Sequence, residues 1–129
     1  MKLLLDEDGS EAAARLWADA DDVHSCRLTY VEVRAALAAA GRDGRLEEST
    51  LSRARTELDG RWASLWISEL DRTLAQAAGE VAEHYGLRTV DAIQLASALD
   101  LDAEGLVLAT WDRRLRAAAV AAGVAVAPG

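Results

Sequence analysis

Three acidic residues occupy positions from which they could bind a metal ion. Glu32, Asp91 and Asp112 each fall near the predicted start of a helix. Carboxylate oxygens are preferred ligands of hard cations such as Mg²⁺ and Mn²⁺, and such ions can activate a water and stabilise the leaving oxygen of a phosphodiester. Each acid also has a structural interpretation, because a negative side chain at a helix start can cap free backbone amides. The sequence therefore leaves metal binding and helix capping open for each acid taken alone.

The first acid follows a predicted strand–helix unit. Residues 23–26 favour a short strand, and residues 29–40 favour a helix. Thr29 and Glu32 have the spacing of a capping box, in which each side chain bonds the other residue's backbone amide. Gly41 is expected to end this helix.

The other two acids belong to a second predicted helix–strand unit, one within its helix and one after its strand. Residues 87–99 predict a helix that is apolar on most faces, with Thr89 as its cap and Asp91 in its first turn. Residues 106–110 form a continuous apolar run, which is typical of a parallel strand covered on both faces, and Asp112 follows it. In such sheets ligands bind beyond the carboxyl ends of the strands.

The remaining elements complete an alternation of helices and strands. This alternation predicts an α/β sandwich with a mostly parallel sheet. We expect further helices over residues 10–20, 47–58, 71–84 (capped by Asp71 and ended by Gly86) and 113–122, with short strands over 65–68 and 124–126.

Composition narrows the class of protein. A chain of 129 residues predicts one domain, residues 1–129. The net charge of −8 argues against broad nucleic-acid binding, but it allows an enzyme that binds one phosphodiester through a divalent cation. One cysteine, Cys26, and two separated histidines, His24 and His84, exclude an ordinary zinc cluster. The single cysteine favours a cytosolic protein, and no apolar run reaches the roughly 20 residues of a membrane span.

Two neighbours of Asp112 are secondary candidates. Thr110 could orient a ligand or a water, or could simply end the strand. Trp111 could line a site beside Asp112, or could belong to the core or an interface.

Three segments together resemble the PIN-domain family, in particular its VapC-type toxin ribonucleases. The segments are Leu28–Leu37, Leu87–Leu99 and Leu108–Leu115, and their order and spacing agree with the family over Lys2–Pro128. The resemblance implies a three-layer α/β sandwich and a Mg²⁺- or Mn²⁺-dependent endoribonuclease toxin of a type II toxin–antitoxin pair. It also implies that Glu32, Asp91 and Asp112 are the catalytic metal ligands.

The resemblance further implies the partners and the compartment. These are an RNA substrate, a cognate antitoxin that masks the site, a second copy of the chain in a homodimer, and a cytoplasmic location without membrane association.

The chain departs from the family pattern at its beginning. Family members usually start with a strand that ends in an Asp followed by Ser or Thr, and Lys2–Leu5 resembles the segment after that motif. We therefore expect the first strand and its acidic ligand to be missing, through a wrongly assigned start or a degenerate copy, with impaired activity. A rival placement makes residues 2–5 the first strand and Asp6 the ligand. A second functional hypothesis is a non-catalytic PIN-like module that binds an antitoxin or its own copy.

Overall fold

Helices dominate the computed structural model, which describes residues 2–5 and 7–129. The helices in this part of the chain are α1 (Ser10–Asp19), α2 (Arg27–Arg42), α3 (Glu48–Trp62), α4 (Arg72–Tyr85), α5 (Thr89–Leu101) and α6 (Arg113–Ala121). The strands are β1 (His24–Cys26), β2 (Trp66–Ser68), β3 (Val107–Ala109) and β4 (Ala125–Ala127). The chain divides into two compact units, residues 1–67 and 68–129.

The core of the first unit joins α2 to α3. Leu37, Leu51 and Ala54 are buried in it. Gly41 does not end α2 as predicted, since the helix continues to Arg42. A Cβ at Gly41 would lie 2.6 Å from Leu51 Cδ1, so this glycine permits close approach of the two helices.

The start of α2 also differs from the prediction. The helix begins at Arg27, directly after β1, and its N-cap residue is Cys26. Thr29 therefore lies inside the first turn, and the predicted capping box is wrong. The Thr29 hydroxyl instead contacts the buried Cys26, with 3.2 Å between Oγ1 and Sγ.

Helix α3 continues to Trp62, beyond the predicted end at residue 58. Arg61 explains the extension, because its Nη2 donates to Glu57 Oε1 at 3.0 Å, one turn earlier. Its guanidinium also lies 4.9 Å from the centre of the Trp17 ring, a cation–π distance.

In the second unit, α4 forms as predicted. The Leu74 amide donates to Asp71 Oδ1 at 2.8 Å, which makes Asp71 a true N-cap. Gly86 ends the helix in the left-handed conformation, with φ of 66°.

Helices α4, α5 and α6 all contribute buried residues to the core of the second unit. One cluster of this core contains Leu87, Ala92, Leu95, Leu115, Ala118 and Ala119. Strand β3 pairs in parallel with β4 in the register Val107–Ala125, as predicted. Val107 and Ala109 are exposed, so the expected cover on both faces of this strand is wrong. Arg88, not Thr89, is the N-cap residue of α5, so the predicted Thr89 cap is wrong.

These elements confirm the predicted α/β class. Within the described residues the strands form two separate pairs, β1 with β2 and β3 with β4. The absence of an earlier strand stays a prediction. Across the same residues, each helix is too short or too polar to cross a membrane.

Candidate functional site

The starts of α5 and α6 enclose an open cleft of about 410 Å³. Both helices present their N-terminal residues to it, together with the segments that lead into them. The lining residues are Leu87, Arg88, Asp91, Trp111, Asp112, Arg113 and Arg114. Two of the three predicted site acids, Asp91 and Asp112, therefore share one cleft.

Local hydrogen bonds fix the position of Asp112. Its Oδ1 accepts from the Leu115 amide at 2.9 Å, so the predicted N-cap role is confirmed. The Asp112 amide donates to Thr110 Oγ1 at 3.1 Å. Thr110 is itself buried, and its amide donates to the Ala127 carbonyl at 3.0 Å. Asp112 therefore belongs to a turn that is hydrogen-bonded to β4.

Asp91 lies in an electrostatically unfavourable environment. Partial burial raises the pKa of this carboxyl above its ordinary value, and the negative charge of Asp112 raises it further. The nearby Arg88 guanidinium acts in the opposite direction and lowers the pKa. Two carboxylates that repel each other in a cleft would both be stabilised by a bound cation.

The chemistry of this pair fits a hard divalent cation, which binds carboxylate oxygens. The pair is nevertheless a partial donor set. Within each unit, the residues that the structure describes contain no group of three or more His, Cys, Asp or Glu side chains arranged to hold a metal.

Glu32, the third predicted ligand, belongs to the first unit. It is an exposed residue in the second turn of α2. Asp6, the ligand of the rival placement, lies outside the described residues.

Three arginines of the cleft were not singled out from the sequence. Arg88 is the N-cap residue of α5, and Arg113 and Arg114 open α6. Their position at a helix start is a sequence signal that could have identified them, because cations there oppose the helix dipole. Trp111, for which the sequence left a core, an interface or a site position open, lines the cleft.

Comparison with known proteins defines the class of this fold and site. The model of the PIN domain family matches residues 1–121, and the chain belongs to that family. This membership confirms the predicted α/β PIN-like fold.

Two relatives place the chain among the VapC-type members. It is 49% identical to "Ribonuclease VapC45" of Mycobacterium tuberculosis (strain CDC 1551 / Oshkosh) over 128 residues. It is also 49% identical to "Ribonuclease VapC49" of Mycobacterium tuberculosis (strain ATCC 25618 / H37Rv) over 128 residues. Each match covers 99% of this chain and 89% of the relative.

Proposed function

We propose that the chain is a divalent-metal-dependent endoribonuclease, the toxin of a type II toxin–antitoxin pair. The observation that carries this proposal is the repelling pair Asp91 and Asp112 in the cleft of the second unit. The ribonuclease names of two relatives at 49% identity support the reaction. Glu32, Asp91 and Asp112 are the proposed catalytic residues and metal ligands.

Each residue has a separate task in this proposal. Asp91 and Asp112 supply carboxylate oxygens, and Glu32 adds a third carboxylate. The Leu115 amide and the Thr110 hydroxyl hold Asp112 in one orientation, which reduces the entropy lost when a ligand binds. Arg88 favours the ionised, ligating form of Asp91. A bound Mg²⁺ or Mn²⁺ would supply Lewis-acid activation of water and neutralise phosphate charge.

The proposal includes the setting in which this reaction takes place. The PIN model match spans both compact units, which supports treating residues 1–129 as a single domain. We further propose an RNA substrate, a cognate antitoxin that covers the cleft, a homodimer and a cytoplasmic location.

Cleavage of a fluorescent single-stranded RNA, with Mg²⁺, with Mn²⁺ and with EDTA, tests the reaction. Asp91→Asn should reduce the metal-dependent rate by about a hundredfold or more, because preorganised electrostatic groups of this kind contribute about 10²–10³ in rate. Asp100→Asn, at an exposed position of the same helix, is the matched control and should retain full activity. Metal-dependent cleavage that survives Asp91→Asn would refute this role.

A second variant tests whether Asp6 supplies a further metal ligand. If Asp6 serves as the ligand that the family motif places early in the chain, Asp6→Ala abolishes cleavage. If Asp6 does not serve as this ligand and no other residue replaces it, cleavage is weak and Asp6→Ala leaves it unchanged.

The non-catalytic alternative rests on one specific observation, the capping bond from the Leu115 amide to Asp112. If the acids serve only as caps, Mn²⁺ should not change the melting temperature. A functional site should raise it with Mn²⁺ concentration, because a ligand that binds the folded state stabilises it by mass action.

A further inference from the structure

The side chains that line the cleft carry more positive than negative charge. Three arginines and two aspartates line it, which gives +1 locally in a chain whose net charge is −8. Within the described part of the chain, Arg113 and Arg114 form no ion pair. Both are exposed.

The location of these two arginines is unfavourable for folding. They occupy the first turn of α6, where the helix dipole favours anions and disfavours cations. Residues that break a local rule without a structural return are typical of functional sites. An anionic ligand would remove the conflict, because backbone amides and guanidinium groups would both attract it.

An aromatic surface lies beside the arginines. Trp111 directly precedes Asp112, lines the same cleft and keeps 39% of its surface exposed. An exposed tryptophan next to cationic side chains suits an unpaired base, which stacks on the ring while the adjoining phosphate binds arginine.

We propose that Trp111, Arg113 and Arg114 form a nucleotide-binding subsite for single-stranded RNA. The base stacks on the Trp111 ring, and the adjoining phosphate binds the Arg113 and Arg114 guanidinium groups. This inference rests on the proposed ribonuclease function, and it assigns the residues that hold the substrate next to Asp91 and Asp112. The volume of about 410 Å³ lies within the range of small-molecule sites.

RNA binding measured without cleavage tests the subsite independently of the metal. The probe is a fluorescein-labelled single-stranded RNA decamer of mixed sequence, titrated in EDTA and followed by fluorescence anisotropy. Trp111→Leu should weaken binding about tenfold, since stacking on an aromatic ring contributes about 1–3 kcal/mol per base. Trp111→Phe should restore most of the loss, which a purely structural defect at this position would not predict.

The arginines have a different signature. Arg113→Gln with Arg114→Gln should weaken binding and reduce the salt dependence, by about 0.7 in the slope of log K against log salt for each phosphate that the variant no longer binds. Trp111→Leu should leave that slope unchanged. Circular dichroism of each variant verifies that it is folded.

The chain provides matched controls for both changes. Arg72 opens α4 after an aspartate cap, as Arg113 opens α6, but it is not among the cleft residues. Trp66 is 62% exposed and belongs to the first unit. Arg72→Gln and Trp66→Leu should therefore retain wild-type affinity and slope.

Each outcome separates the subsite from the catalytic proposal. The subsite is overturned if the wild-type chain does not bind the RNA, if the cleft variants bind as well as the controls, or if the controls lose as much affinity. If RNA binding follows the prediction but Asp91→Asn still cleaves RNA, the subsite stands and the metal-ligand proposal fails.

Discussion

Two short segments of the second unit share a local structure and differ in their surroundings. Asp71-Arg72-Thr73-Leu74 opens α4, and Asp112-Arg113-Arg114-Leu115 opens α6. In each, the aspartate caps the helix by accepting from the leucine amide, at 2.8 Å and 2.9 Å respectively. In each, the leucine is buried. Capping alone therefore explains why an aspartate stands at both positions.

The difference lies in what surrounds the second cap. Asp112 has Trp111 before it, a second arginine after it, and Asp91 close enough for Asp112 to raise the pKa of that neighbour. Asp71 is not among the residues that line the cleft. The capping bond thus needs only residues of its own segment. The proposed function of Asp112 depends also on residues of another helix.

The largest expected difference between the two caps is in RNA cleavage. Asparagine caps a helix about as well as aspartate, so Asp112→Asn keeps α6 capped but removes the carboxylate. We expect a loss of about a hundredfold in metal-dependent cleavage, with little change in melting temperature. Asp71→Asn should leave cleavage unchanged. Equal rates for the two variants would show that Asp112 is only a cap.

Alanine substitutions at the two caps should lower the stability of the protein by similar amounts. Asp71→Ala and Asp112→Ala each remove one capping bond, and each should lower the free energy of unfolding by about 1 kcal/mol. Urea unfolding measured in EDTA gives both values. If Asp112→Ala lowers the free energy of unfolding several times more than Asp71→Ala does, the Asp112 carboxylate makes a further structural contribution.

The smallest expected effect is a gain in stability at Asp91. Because its pKa is higher in the folded chain, the folded state binds more protons above the ordinary aspartate pKa, and stability falls as pH rises through that window. Asp91→Asn should therefore stabilise the metal-free protein at pH 7, by about 1 kcal/mol or less because solvent screens a partly exposed charge.

This gain has two internal controls. It should vanish in acid, where the wild-type carboxyl is protonated in both states. Saturating Mg²⁺ should reverse it, because only the wild-type chain retains the Asp91 carboxylate as a ligand for the cation. A gain that persists unchanged in acid would trace the effect to something other than charge.

Local signals predicted the parts of the fold that local interactions determine. Helix α4 lies almost where its aspartate cap and terminal glycine place it. The start of α2 was misplaced, because Cys26 passes from strand into helix without a polar cap. The end of α3 was misplaced because Arg61 is stabilised partly by Trp17, which is distant in sequence.

In the candidate site, too, local signals predicted some residues and missed others. Strand-end and helix-start positions brought out Asp91 and Asp112, and the structure places both in one cleft. The arginines of the cleft were missed because an arginine at a helix start is usually interpreted as a solvated side chain. Their significance depends on a concave surface that two helices form together, which periodicity in one helix cannot reveal.

The close approach of Gly41 and Leu51 has a consequence for how the sequence can vary. The 2.6 Å that would separate a new Cβ from Leu51 Cδ1 makes the two positions share one fixed volume. A larger residue at position 41 requires the Leu51 side chain to move or to be replaced by a smaller one. Homologous chains should therefore exchange size between these positions as a correlated pair, and an engineered library should randomise them together.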